Sequence, residues 1–177
     1  MRTRGHTPSR QAGQAMVESI LALILLCLVF FVVYEYAHLL VAHTVLDYAA
    51  ARAARARAVG FNDFMVTKTV RVATLATAGR DLLKDNAGKP LSTGTLVSRM
   101  GAYLARESEA DVRAVLDFEF WNPARLGWSC VDPGGDTLTL TVWQRRPLYG
   151  EDDEADATLH RLEGRAEIED HAGFYLQ

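Results

Sequence analysis

The feature that most limits what this chain can become is a long run with no helix breaker. No Pro and no Gly lies strictly between Gly13 and Gly60. Pro deletes a helix hydrogen bond and Gly adds backbone entropy, so without them one helix can propagate through the whole stretch. Wholly helical, it is about 70 Å long at ~1.5 Å per residue, over twice the thickness of a bilayer's hydrocarbon core. Ile20 to Tyr34 is apolar throughout. The reading is therefore one helix over 14–60 that spans a membrane near 19–41 and continues outside it. A single carboxylate, Glu18, stands at the edge of the apolar run. At the centre of a membrane helix an acid costs about 2.5–3.5 kcal/mol, and less near an end, where the side chain reaches water.

Beyond the apolar run the helix changes character. Ala42, Ala49, Ala53 and Ala56 recur at helical spacing and form a small-residue face, which lets another backbone approach closely. That face packs the chain's own folded domain or contacts neighbouring subunits, and both can hold on opposite sides of one helix. Gly60 suits a helix C-terminus, and Asn62 or Asp63 suits the N-cap of the next helix. Val66, Val70, Ala73 and Thr77 predict a second helix over 63–84. Lys84 to Pro90 is a loop, and Ser92 or Thr93 opens a third helix reaching about Glu107. Three stretches alternate with period two and predict strands. They are Val112 to Phe120, Leu138 to Val142, and Leu162 to Ile168. Trp121-Asn122-Pro123 and Asp132-Pro133-Gly134-Gly135 supply turn chemistry between the first two. The fold class is α+β: a long N-terminal helix, then helices and a small antiparallel sheet in an ectodomain over 61–177.

The formal net charge is −3, which gives no electrostatic case for a nucleic-acid partner. Residues 1–13 carry Arg2, Arg4 and Arg10 and no acid. A basic segment before an apolar one also describes a secretory signal peptide, but here the apolar stretch runs on into a strong helical pattern. Of the two cysteines, Cys27 lies inside the apolar run and Cys130 far downstream. A bridge between them is geometrically implausible, so Cys130 is either a buried thiol or the site of an intermolecular disulfide. Glu35 and His38 share a helix face beside Tyr34 and Tyr36, as in an aromatic belt, and lack the further ligands a metal needs. His43 shows no metal-site spacing either. Glu151 to Asp156 is a solvated acidic loop without the oxygen-ligand spacing of a calcium site. His160 and His171 have no nucleophile motif nearby, and no phosphate-cradling loop, CxxC or HExxH occurs. No cofactor and no enzymatic activity are expected.

Gly13-Gln14-Ala15-Met16-Val17-Glu18, ahead of the apolar helix, resembles the type IV pilin and pseudopilin signature. Tyr34-Glu35-Tyr36-Ala37-His38, followed by Leu46-Asp47-Tyr48-Ala49-Ala50-Ala51-Arg52-Ala53-Ala54-Arg55-Ala56, narrows the resemblance to TadE-like minor pseudopilins of Tad/Flp pilus systems. The resemblance covers about residues 10 to 60, and none is claimed beyond Phe61. Ser19 follows Glu18 where many members have Phe or Tyr.

The resemblance implies a structural subunit of a Tad-type pilus that assists pilus initiation or assembly, and so adhesion. It implies residues 1–13 as a prepilin leader, cut between Gly13 and Gln14 by a prepilin peptidase. It further implies a sister TadF-like minor pseudopilin, the major Flp pilin and the inner-membrane Tad platform as partners, besides membrane lipid. The N-terminus would be cytoplasmic and the C-terminal domain periplasmic, in an inner-membrane protein that can enter the pilus. Glu18 would be the fifth residue after the cut and face the new α-amino group of a neighbour. A buried carboxylate opposite an ammonium is tolerated where either alone is penalised. Two other classes stay open: an unprocessed, signal-anchored binding or sensor domain, and a membrane-tethered enzyme.

Overall fold

Helix α1 (Ser9–Ala58) is unbroken, as the absence of Pro and Gly after Gly13 predicts. The computed structural model describes residues 9–83, 92–131, 137–147 and 159–169. Part of the expected leader, the loop at Lys84 to Pro90, the turn at Asp132 to Gly135, the acidic run Glu151 to Asp156, and His171 lie outside the described residues. Two compact units divide the chain, Met1–Val41 and Ala42–Gln177. In the first, the described structure is helix alone.

In the second unit α1 ends as its sequence asks. Gly60 adopts φ +90°, where an L side chain is strained. The Gly60 N–H donates to the Arg57 carbonyl at 2.8 Å and the Phe61 N–H to the Ala56 carbonyl at 3.1 Å, closing the last turn. Asn62 then caps α2 (Asp63–Ala73), its side chain accepting from the Met65 N–H at 2.9 Å. A cap of this kind contributes about 1 kcal/mol.

The expected helix over 63–84 is too long. It stops at Ala73, and a short 3₁₀ turn, Leu75–Thr77, follows. The Thr74 hydroxyl donates back to the Val70 and Arg71 carbonyls. Gln144 Nε2 and Arg146 Nη2 then donate to the Thr77 carbonyl at 3.0 and 2.9 Å. Side chains of the sheet thus take the carbonyl at the end of the 3₁₀ turn. Helix α3 (Thr93–Ala105) lies close to its expected bounds, although Ser92 makes no side-chain cap bond.

The strand expected over Val112 to Phe120 is not one. The segment forms α4 (Glu109–Val115) and a 3₁₀ turn, Glu119–Trp121. Ser108 caps α4 through the Asp111 N–H, and Glu109 and Asp111 occupy the first turn, where acids favour the helix dipole. Val112 and Leu116, one turn apart, are buried, while Ala114 between them is exposed. Burial here has period 3.6, not two.

The sheet is antiparallel with order β1-β2-β3. Strands β2 (Thr137–Pro147) and β3 (Leu159–Glu169) contain the expected alternations. Strand β1 (Leu126–Val131) was not expected. Register pairs Trp128 with Val142 and Val142 with Gly164. One sheet face, including Leu126, Leu138, Leu140, Val142 and Leu162, joins the core with Leu46, Val66, Val70, Tyr103, Val112 and Leu116. Gly164 is where the sheet meets α1. A Cβ there would lie 2.3 Å from the Leu46 carbonyl carbon, so only glycine admits the helix backbone.

Candidate functional site in the N-terminal helix

The residues that carry the functional reading sit on α1, and the fold makes almost no use of them. Gly13 and Gln14 are helical and exposed. A Cβ at Gly13 would meet nothing within 4 Å, and its φ is not positive. Glycine costs a helix interior about 1 kcal/mol relative to alanine, so Gly13 brings this helix a cost with no packing or backbone gain. Glu18 is exposed and has no hydrogen-bond or ion-pair partner among the described residues. The Ser19 hydroxyl donates to the Ala15 carbonyl at 2.8 Å, which keeps a polar group satisfied at the start of the apolar run.

From Ile20 to Val41 the apolar side chains stand open, with Leu26 66% and Phe30 68% exposed. This is the one helix among the described residues long and apolar enough to cross a membrane, with a mean hydropathy of 2.9 and no part of that window buried. Water does not tolerate a continuous apolar sleeve of this size on a stable monomer, so the segment requires lipid or a protein partner around it. At its C-terminal end the His38 ring packs edge-on against Tyr34, with centroids 4.4 Å apart. Glu35 is the half-buried residue of that stretch. No three His, Cys, Asp or Glu side chains converge as metal ligands among the described residues.

Within the second unit the α1 faces have divided uses. Ala42, Ala49 and Ala53 are fully buried and Ala56 nearly so, all within the unit's own core. Of the two uses open to that face, the structure shows the one inside the chain. Facing away are Thr44, Tyr48, Arg52 and Arg55, all exposed. Arg52 donates to the Tyr48 hydroxyl at 3.2 Å and lies 5.7 Å from the ring centre. The polar stripe at spacing four was the sequence signal for this outward face. Asp47 Oδ1 accepts from the Arg165 N–H on β3 at 3.3 Å. Cys130 is half-buried and packs against the core from β1.

Cations fasten the helices of this unit. Lys68 Nζ donates to the Leu104 and Arg106 carbonyls at 2.7 and 2.6 Å, capping α3 from α2. Burial lowers the Lys68 pKa against the opposing charge of Glu107. Arg99 closes α4 by donating to the Val115 carbonyl and pairs with Asp81 at 2.9 Å. Arg71 pairs with Glu109 at 2.8 Å. Burial works against the Arg71 charge, yet its bonds to Glu109 and Tyr103 raise its pKa.

These features together are a membrane-length helix with a Gly-x4-Glu entry and a small-residue outer half. Residues 13–55 match the family model of TadE-like proteins. The TadE-like segment takes in Gly13, Glu18, the whole exposed apolar run, and Ala42 to Ala53, and it stops short of the helix end. The match suggests a Tad pilus-associated protein. Its apolar helix fits a single-pass membrane anchor. No curated protein and no solved structure matches the chain.

Proposed function

We propose that the protein is a minor pseudopilin of a Tad-type pilus. A prepilin peptidase cuts it between Gly13 and Gln14. It then assists pilus initiation or assembly from the inner membrane, with its C-terminal domain in the periplasm. Its partners are a TadF-like minor pseudopilin, the major Flp pilin and the Tad platform. The observation that carries this reading is that Gly13 and Glu18, five residues apart at the mouth of an uncovered apolar helix, do nothing for the fold. A glycine that weakens its own helix suits a peptidase that must open the backbone at that bond. After cleavage the α-amino group at Gln14, with an ordinary pKa of about 8, is largely protonated at neutral pH and finds its counter-charge in a neighbour's Glu18.

The test is the N-terminal sequence of the protein recovered from its native membrane. Gln14 as the first residue is expected. An intact Met1 in cells making functional pili would assign the chain instead to the unprocessed, signal-anchored class.

A further inference from the structure

The sheet has a second face, turned away from the core. On β2, Leu138, Leu140, Val142 and Gln144 are buried, and the alternate positions Thr139, Thr141, Trp143 and Arg145 are half-buried on the other side. On β3 every second residue from Arg161 to Glu169 is exposed on that same side, and on β1 Val131 is 60% exposed there. Trp143 lies over Gly127, its register partner on β1, where a Cβ would collide with the indole ring. The face thus stays level enough for a second sheet to approach.

Its charges have an order. Arg161, Glu163, Arg165 and Glu167 read plus, minus, plus, minus along β3. That order is antisymmetric about Gly164: read backwards, every charge becomes its opposite. Register also sets Arg145 directly across from Arg161, and like charges so placed repel. Both guanidiniums lie over the Trp143 ring, 5.5 and 5.1 Å from its centre. Arg161 reaches Glu163 at 2.6 Å, which leaves this end of the face with an excess of positive charge. The end at Glu167 and Glu169 has an excess of negative charge.

We propose that this face pairs with the same face of a second copy of the chain. A two-fold axis between the sheets, crossing the strands at the level of Gly164, runs the second copy's strands in reverse. Arg161 then meets Glu167 of the second copy and Glu163 meets its Arg165, each contact occurring twice. Packed sheets stand about 10 Å apart, a gap that arginine and glutamate side chains span from the two sides. The incoming glutamate also relieves the repulsion between Arg145 and Arg161. Alternating charge on an outer strand guards its edge in any order, whereas antisymmetry serves only a partner carrying the same order, and the chain itself is that partner. The face measures three strands at ~4.8 Å by about ten residues at ~3.4 Å, roughly 500 Å² a side. A standard interface buries about 800 Å² a side, so this dimer is weak in free solution. It gains from the effective concentration that an anchoring α1 supplies by holding both copies in one membrane. The inference needs that anchor but not the pilus role, and either can fail without the other.

The experiment is energy transfer between donor- and acceptor-labelled full chains, tagged beyond Gln177 and reconstituted together in phosphatidylcholine vesicles. Contacts made by α1 are common to all samples and set the baseline. Wild-type copies should show transfer above it. Arg165→Glu with Glu167→Arg makes the order plus, minus, minus, plus, and Arg161→Glu with Glu163→Arg makes it minus, plus, plus, minus. Neither pair of changes alters the net charge, and each sets like against like across the axis, so each variant alone should lose the transfer. The two variants complement each other, and with donor on one and acceptor on the other the transfer should return. Circular dichroism checks that both keep the wild-type fold. Baseline transfer between wild-type copies, wild-type transfer in either variant alone, or baseline transfer in the mixture of folded variants would each overturn the proposal.

Discussion

Gly164 on β3 and Leu46 on α1 are in backbone contact. A Cβ at Gly164 would fall 2.3 Å from the Leu46 carbonyl carbon and 2.5 Å from the Asp47 nitrogen. The obstacle is helix backbone, which cannot rotate aside as a side-chain tip can. Gly164→Ala should therefore push β3 off α1 and destabilise the domain by about 1–3 kcal/mol, as overpacking does. The urea midpoint of the full chain in detergent, followed by circular dichroism, measures this. An unchanged midpoint would show that the contact is slack.

Asp81 is 4% exposed at its side chain and faces Arg99 at 17%. Removing one partner of a buried pair leaves an uncompensated charge, at a cost of about 3–5 kcal/mol. Arg99→Met should approach the lower end of that range, because Asp81 keeps the Leu83 N–H at 3.0 Å. The double variant Arg99→Met, Asp81→Asn should recover part of the loss. Additive losses in that cycle would contradict a direct pairing.

Two carboxyl groups make the domain respond to acid in opposite senses. Burial favours neutral Glu109, but the bond and charge of Arg71, with Arg113, outweigh it and hold the carboxyl below its ordinary 4.5. A depressed folded pKa contributes stability that is present above 4.5 and lost as pH falls through the folded value. Burial raises Asp117 above its ordinary 3.8 despite Arg113 and Arg71. Its contribution is full below 3.8 and lost as pH rises through the folded value. Urea midpoints between about pH 3 and 7 should show a shallower acid loss for Glu109→Gln, and for Asp117→Asn no loss of stability at neutral pH. An acid limb unchanged by Glu109→Gln would show that Arg71 does not hold that carboxylate.

Gly13→Ala has room for its methyl group and improves helix propensity. Protein level should be unchanged, while processing by a co-expressed prepilin peptidase slows several-fold. Glu18→Gln exchanges a carboxylate for an amide, which a membrane edge accepts more readily. Level and processing should stay normal, with weaker entry into the pilus complex and fewer pili. Pilus yield unchanged by Glu18→Gln, where deleting the protein abolishes pili, would reduce Glu18 to an interfacial residue. Blocked cleavage instead would make it a recognition residue for the peptidase.

What the sequence determined by itself was whatever rests on local chemistry. The missing breakers between Gly13 and Gly60 dictate α1, Gly60 and Asn62 dictate its end and the next start, and the alternation from Leu138 and from Leu162 dictates β2 and β3. The entry Gly13 to Glu18 was equally legible, because it is a spacing and needs no partner in the fold. Tertiary structure decided the rest. Val112 to Phe120 alternates on paper, yet Ser108 capping and a core that receives Val112 and Leu116 make its first part helix, as far as Val115, with Ala114 left outside. Strand β1 carried its own alternation in Leu126, Trp128 and Cys130. Gly127 weakened that signal, and its pairing with Trp143 comes from the partner strand. Helix α2 stops at Ala73, and the carbonyl of Thr77 beyond it is taken by Gln144 and Arg146, about seventy residues on. The alanine face of α1 could have served a neighbour or its own domain. Only the fold shows it packed within the domain, where Gly164 lies against the Leu46 backbone, because no local sequence says which distant segments will meet.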